Sequence, residues 1–237
     1  MSVDPDAPSS AHVLCQHRRQ RVLHGVNRVF ARIYHNVEVL SPPHLPQKGP
    51  AILVSNHTSG LDPHLIQSCC HRVITWMMAR EYYDQPILRN ILDVIGVIPV
   101  SRGERDSAAT RAALRAVENG EVLGIFAEGK IEPTPELLPF QPGIGVLALK
   151  TEAPIHPVYL DGTQRGLNMA QGFFRRQHAV LTFGPPLQFH RSSPAHCGVA
   201  DVTGQIEQSV RSLQMQVRKY NSSHILRREH GPDTKIG

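Results

Sequence analysis

Short apolar runs that alternate with amphipathic segments constrain this chain more than any other feature. Strand-like runs fall at 51–55, 73–78, 97–100, 121–126, 155–160 and 179–183, and helical spacing at 63–71, 86–95, 107–118 and 143–150. Such alternation predicts an α/β fold, a largely parallel or mixed sheet flanked by helices. The clearest helix is 107–118: Asp106 or Ser107 caps it, Ala109, Ala112, Ala113, Ala116 and Val117 share a face, and Asn119-Gly120 stops it. A last helix over 200–219 carries Val202, Ile206, Val210, Leu213 and Val217 at helical spacing. A length of 237 residues fits one such domain with a small appendage.

The ends differ from this body. Residues 1–12 are rich in Pro, Ser and Asp and are expected to be disordered. An N-terminal amphipathic segment follows over 13–44. Its helix, about 14–34, sets Val22, Val26, Val29, Phe30 and Ile33 on one face, with Arg21, Arg28 and Arg32 flanking. A packed helix with a wet side and a membrane-surface helix both fit that pattern. The domain proper spans 45–222, and 223–237 reads as a loose tail.

No apolar run reaches the ~18 residues of a spanning helix, and the polar start does not read as a signal peptide. The expectation is a cytoplasmic protein that meets the membrane peripherally. An excess of 25 Lys+Arg over 20 Asp+Glu suits an anionic partner, either a phosphorylated substrate or an anionic membrane surface. Aromatic residues are only 5% and form no ladder among basic residues, which argues against nucleic acid. Cys15, Cys69, Cys70 and Cys197 show no zinc spacing and the 14 histidines form no HExxH box, so no metal is expected.

In parallel sheets functional residues gather beyond the carboxyl ends of strands. Three polar clusters occupy that position: Asn56-His57 with Asp62, Ser101-Arg102-Gly103, and Glu128-Gly129-Lys130. On a continuous helix a separation of five would turn His57 and Asp62 about 140° apart. Asp62 precedes Pro63 and so reads as a helix N-cap, with His57 on the turn leading into the helix; only loop geometry can pair them. Taken singly, each cluster is also ordinary turn chemistry.

Together and in this order they resemble the lysophospholipid (glycerolphosphate) acyltransferase family. Asn56-His57-Thr58-Ser59-Gly60-Leu61-Asp62 matches that family's NHxxxxD block. Gly96-Val97-Ile98-Pro99-Val100-Ser101-Arg102 is similar to its second block, Phe126-Ala127-Glu128-Gly129 to its FPEG block, and Ile155-His156-Pro157-Val158 to its fourth. The resemblance covers roughly residues 45–185. It implies a glycerolphosphate-acyltransferase-like fold and transfer of a fatty acyl group from coenzyme A or acyl carrier protein to a lysophospholipid, without a cofactor. His57 is then the general base and Asp62 its orienting carboxylate, while Asn56, Arg102, Glu128, Gly129 and Lys130 bind substrate.

The third block departs from its pattern. The family's FPEGTRS stands here as Phe126-Ala127-Glu128-Gly129-Lys130-Ile131-Glu132, so the arginine that helps hold the acceptor phosphate is Ile131. Lys130 can supply a point charge but not the bidentate fork. The expected acceptor is 1-acylglycerol-3-phosphate. Another lyso-lipid acceptor, a non-catalytic lipid-binding module and, third, a metal-dependent hydrolase remain alternatives.

Overall fold

In a computed structural model the chain builds a seven-stranded sheet with helices on both faces. Residues 10–84, 89, 92–93, 95–101, 106–132, 134, 136–166, 171–172, 174–192 and 198–229 are described, with backbone alone over 10–21 and 225–229. The strands are β1 (Glu38–Ser41), β2 (Ala51–Ser55), β3 (Ile74–Ala79), β4 (Ile98–Val100), β5 (Val122–Phe126), β6 (Ile155–Asp161) and β7 (Val180–Phe183). The helices are α1 (Ser10–Tyr34), α2 (Asp62–Cys69), α3 (Arg80–Tyr83), α4 (Ser107–Glu118), α5 (Gly143–Thr151) and α6 (Val199–Glu229).

Strand order is β1-β7-β6-β2-β5-β3-β4, with every pairing parallel except β6 with β7. The carboxyl ends of β6, β2, β5, β3 and β4 therefore open onto one edge. One core lies under α4, α5 and α6, where Ala113, Leu147 and Ile206 meet Leu123 and Ile52. The other lies under α1 and α2, where Ala31, Leu65 and Ile66 meet Leu53, Val122 and Trp76. Val54 and Leu53 point to opposite faces, so β2 is apolar throughout because both its faces are covered.

All the expected strands are present, within one residue of their expected ends. β1 and α3 were not expected. β1 is a four-residue edge strand between α1 and Pro42-Pro43, too short and too exposed to show a period. The expected helix over 86–95 lies largely outside the described residues; 89, 92–93 and 95 within it are helical. Asp106 caps α4 as expected, accepting from the Ala109 amide at 2.8 Å.

Both terminal helices run past their expected limits. α1 begins at Ser10, within the stretch expected to be disordered, and residues 1–9 lie outside the described residues. α6 continues to Glu229, through the first part of the expected tail. No Gly or Pro occurs from 205 to 230 to stop it. Asn221 Nδ2 also donates to Asp161 Oδ2 at 3.3 Å, holding the helix to β6 beyond its last buried valine, Val217.

α1 packs on α2 through Ala31 and through Asn27 Nδ2, which donates to the His64 carbonyl at 2.8 Å. Its valine stripe faces the other way: Val22, Val26, Val29 and Ile33 are exposed, Ile33 by 73%. The 174–176 loop is tied to the end of this helix, with Tyr34 Oη donating to the Phe174 carbonyl at 2.7 Å. That bond brings Phe174, 76% exposed, to the end of α1, with the exposed Arg175 and Arg176 following it.

Candidate active site

The turn after β2 folds His57 back onto Asp62, with 3.0 Å between His57 Nδ1 and Asp62 Oδ2. The same carboxylate oxygen accepts the backbone N–H groups of Thr58 at 2.6 Å and Ser59 at 2.9 Å. Asp62 is fully buried, whereas the His57 side chain is 16% exposed. Among the described residues nothing bonds His57 Nε2. One ring nitrogen is thus held and the other is presented outward.

This corrects the reading of Asp62 as an N-cap. Asp62 is the first residue of α2, Leu61 occupies the cap position, and no side chain caps the helix. The carboxylate points backward, into the turn that carries His57, and spends its acceptor capacity there. Pro63 needs no amide partner, which leaves the carboxylate free for this use.

The loop after β5 clamps His57 by its backbone. Glu128 Oε1 accepts the His57 N–H at 2.9 Å, and the His57 carbonyl accepts from the Glu132 N–H at 2.8 Å. The second Glu128 oxygen accepts the Leu138 amide at 2.9 Å. Burial pushes the Glu128 carboxyl above its ordinary range, and the amides of Leu138 and His57 pull it back. Gly129, at φ 74°, takes the left-handed conformation that closes the turn onto the Phe126 carbonyl. Both oxygens of the buried Glu128 carboxylate are thus engaged with backbone amides of the His57 turn and the 138 segment.

Asn56 is also held by backbone partners. Its Nδ2 donates to the Leu160 carbonyl and its Oδ1 accepts the Leu160 amide, both at 2.9 Å. The buried amide continues the β2–β6 ladder one step past the last paired residues. Thr58 Oγ1 meets Thr163 Oγ1 at 2.6 Å, and Gly166 N donates to the Thr58 carbonyl. The histidine turn is fastened to both neighbouring strands.

Of the second cluster only Ser101 is described, and it stands farther off. Ser101 ends β4, its amide bound to Asp106 Oδ2 at 2.9 Å, and Arg102 and Gly103 lie outside the described residues. Three strand spacings separate β4 from β2, about 14 Å across the sheet. Arg80, which sequence reasoning missed, is one strand nearer. Its Nε donates to Ser101 Oγ at 3.3 Å. Ser55 pairs with Phe126, and His57 and Glu128 each stand two residues beyond that pair, while Arg80 directly follows Ala79, the last residue of β3, which pairs with Val100 of β4. Lys130 is exposed, its Nζ 3.7 Å from Glu132 Oε2. Among the described residues no group of three or more His, Cys, Asp or Glu side chains is placed to hold a metal ion.

This dyad, carried between β2 and α2, coincides with a sequence relationship. The acyltransferase family profile matches residues 36–161, from just before β1 to the end of β6. The chain belongs to the acyltransferase family. It is 22% identical over 192 residues to a 1-acyl-sn-glycerol-3-phosphate acyltransferase of Bacillus subtilis, covering 79% of this chain and 92% of that one. A protein of the same name from Borreliella burgdorferi is 32% identical over 123 residues, covering 50% of this chain and 48% of its own. The human beta form is 29% identical over 140 residues, 58% of this chain and 50% of that protein. The chain thus spans nearly all of the Bacillus relative and about half the length of the other two. The fold is similar to the crystal structure of a 1-acyl-sn-glycerophosphate acyltransferase from Thermotoga maritima. That match has a TM-score of 0.64 and 18% identity, covering 85% of this chain and 82% of that chain.

Proposed function

We propose that this protein transfers a fatty acyl group from an acyl thioester, of coenzyme A or acyl carrier protein, to the hydroxyl of 1-acylglycerol-3-phosphate. The observation that carries the reading is the dyad, with Nδ1 of His57 on a buried carboxylate and Nε2 turned outward. The names of the relatives and the matched residues support the acceptor class.

A thioester is already activated, so the difficult step is making the acceptor oxygen nucleophilic. Nε2 of neutral His57 takes the hydroxyl proton as that oxygen attacks the thioester carbonyl carbon, a service worth typically about 10²–10⁴-fold. Asp62 holds the tautomer with the proton on Nδ1 and stabilises the imidazolium that forms. The tetrahedral intermediate collapses, the carbon–sulfur bond breaks, and the imidazolium returns its proton to the departing sulfur. The thiol leaves, the new ester remains and His57 is neutral again. No enzyme nucleophile is required.

The acceptor phosphate falls to cations at the same edge of the sheet. Arg80 takes the place of the arginine replaced by Ile131, assisted by Arg102 and Lys130. Arg80 follows β3 at the sheet edge where His57 follows β2, and its guanidinium offers the bidentate fork that an ammonium lacks.

Residues 45–222 form the catalytic domain in this reading, and α1 serves as a peripheral attachment to anionic membranes. Its exposed valines, with Ile33 and Phe174, enter the interface while Arg28, Arg32, Arg175 and Arg176 meet lipid phosphates. No helix among the described residues is long and apolar enough to cross a membrane. The test is a transfer assay with radiolabelled oleoyl-coenzyme A and oleoyl-acyl carrier protein against 1-oleoylglycerol-3-phosphate and its phosphate-free counterpart. Phosphatidic acid formation is expected; thioester hydrolysis without transfer to any lyso-lipid would remove the reading.

A further inference from the structure

The His57 ring does not stand alone above the sheet. Phe126, the last residue of β5, stacks on it with ring centroids 3.9 Å apart and planes 13° apart. Trp76 of β3 stacks on Phe126 in turn, at 4.9 Å and 12°. Beneath the indole lies Gly124, whose register partner on β3 is Trp76. A Cβ at Gly124 would stand 2.5 Å from Trp76 Cε3 and 2.7 Å from Cδ2. A glycine in mid-strand thus leaves the space in which the indole lies flat. The indole N–H is buried without a partner among the described residues, so no hydrogen bond sets the position of that ring.

The one hydrogen bond from Nδ1 to Asp62 restrains the last side-chain torsion of His57 only within the angular tolerance of a hydrogen bond. That torsion has a broad profile of its own, so the ring can still rock about it and carry Nε2 along. A flat aromatic face removes that freedom.

We propose that Phe126 and Trp76 are positioning residues whose stack, made possible by Gly124, fixes the plane of the His57 ring and so aims Nε2. The proposal rests on the acyl-transfer reading for its consequence in turnover and on geometry alone for its spectroscopic one. Misplacing a catalytic group by about 1 Å costs on the order of a hundredfold. A ring freed to swing but still tethered to Asp62 should lose about ten- to a hundredfold in kcat, with the acceptor KM little changed.

The test uses the full chain labelled with ¹³C- and ¹⁵N-histidine, with the His57 signals assigned by their loss in His57→Ala. A ring held over Phe126 has carbon-bound protons shifted upfield by the ring current. Phe126→Leu and Trp76→Leu should move these signals toward ordinary positions. Both should also lower kcat with oleoyl-coenzyme A and 1-oleoylglycerol-3-phosphate. Phe126→Tyr and Trp76→Phe, which keep a ring, should retain most of what the leucine variants lose. Gly124→Ala should act like Trp76→Leu without altering any ring. Should it fail to fold, the leucine and aromatic pairs decide the matter, with thermal melting confirming that each is native. Leucine and aromatic variants with equal kcat, or His57 signals unmoved by Trp76→Leu, would overturn the proposal. A wild type with upfield His57 signals and no transferase activity would instead count against the acyl-transfer reading.

Discussion

Glu128 accepts the backbone N–H of His57 at 2.9 Å, so the loop after β5 holds the His57 turn after β2 by its main chain. The carboxylate is buried and its other oxygen holds Leu138. Glu128→Gln keeps one acceptor oxygen and sets an NH₂ group against an amide donor, leaving at least one buried group unsatisfied at a cost of about 1–3 kcal/mol. The expected outcome is a lower melting temperature together with reduced kcat, measured on one preparation. Unchanged stability would show that the two amides do not depend on this carboxylate.

Asp62→Asn should be worse than its chemistry alone implies. The amide would face the N–H groups of Thr58 and Ser59 as well as the imidazole, so only its oxygen can serve them. Urea titration should report a loss of about 1–3 kcal/mol alongside the loss of turnover. Wild-type stability would return Asp62 to a purely catalytic role.

Acid should loosen the fold before its carboxylates titrate. Burial pushes His156 and His64 from 6.5 down to about 4, and lowers His24 and His35 as well. Each folded-state value lies below the unfolded one, so the unfolded chain binds more protons between them. Stability should be full above about pH 6.5 and fall as pH drops toward 4. Melting temperatures from pH 7.5 to 5 should show this slope, and His156→Met should flatten it. A flat profile over that range would contradict the burial of these rings.

Vesicle flotation tests the exposed face of α1. Changing Val26, Ile33 and Phe174 to Ser should weaken binding to anionic vesicles. Changing Arg21, Arg28 and Arg32 to Gln should do so in proportion to lipid charge, each arginine near the surface being worth about 1 kcal/mol. The Arg21 side chain lies outside the described residues. Equal binding by all three proteins would leave α1 a packed helix with a wet side.

Steady-state kinetics test the phosphate assignment. Arg80→Lys and Arg102→Lys should each raise KM for 1-oleoylglycerol-3-phosphate, because an ammonium cannot reproduce the guanidinium fork. Lys130→Ala should have a milder effect. A charged hydrogen bond is worth about 1.5–3 kcal/mol, or roughly ten- to a hundredfold. Equal losses on phosphate-free acceptors would assign these cations to the fold or to the thioester.

Runs of apolar residues made the strands legible because β2, β5 and β6 are largely buried on both faces, and the position of the polar clusters after strands placed the loops on one edge of the sheet. The partners within the site were less legible. That Asn56 binds both polar groups of Leu160 could not be read from the sequence, because the two residues are 104 positions apart. The stack of Trp76, Phe126 and His57 was not legible, because stacking leaves no mark on spacing. Asp62 looks like a cap because Asp-Pro at a helix start suits one, and only the turn geometry turns its carboxylate toward His57. Arg80 directly follows a strand, the same position that the three polar clusters occupy.

The most direct measurement is the turnover of purified His57→Ala with oleoyl-coenzyme A and 1-oleoylglycerol-3-phosphate, with its melting temperature taken on the same sample. Asp62 keeps its two amide donors when the imidazole is removed, so the variant should melt close to wild type. Its kcat should fall by about 10²–10⁴-fold. A folded variant that retains most of its turnover would contradict the assignment of His57 as the base.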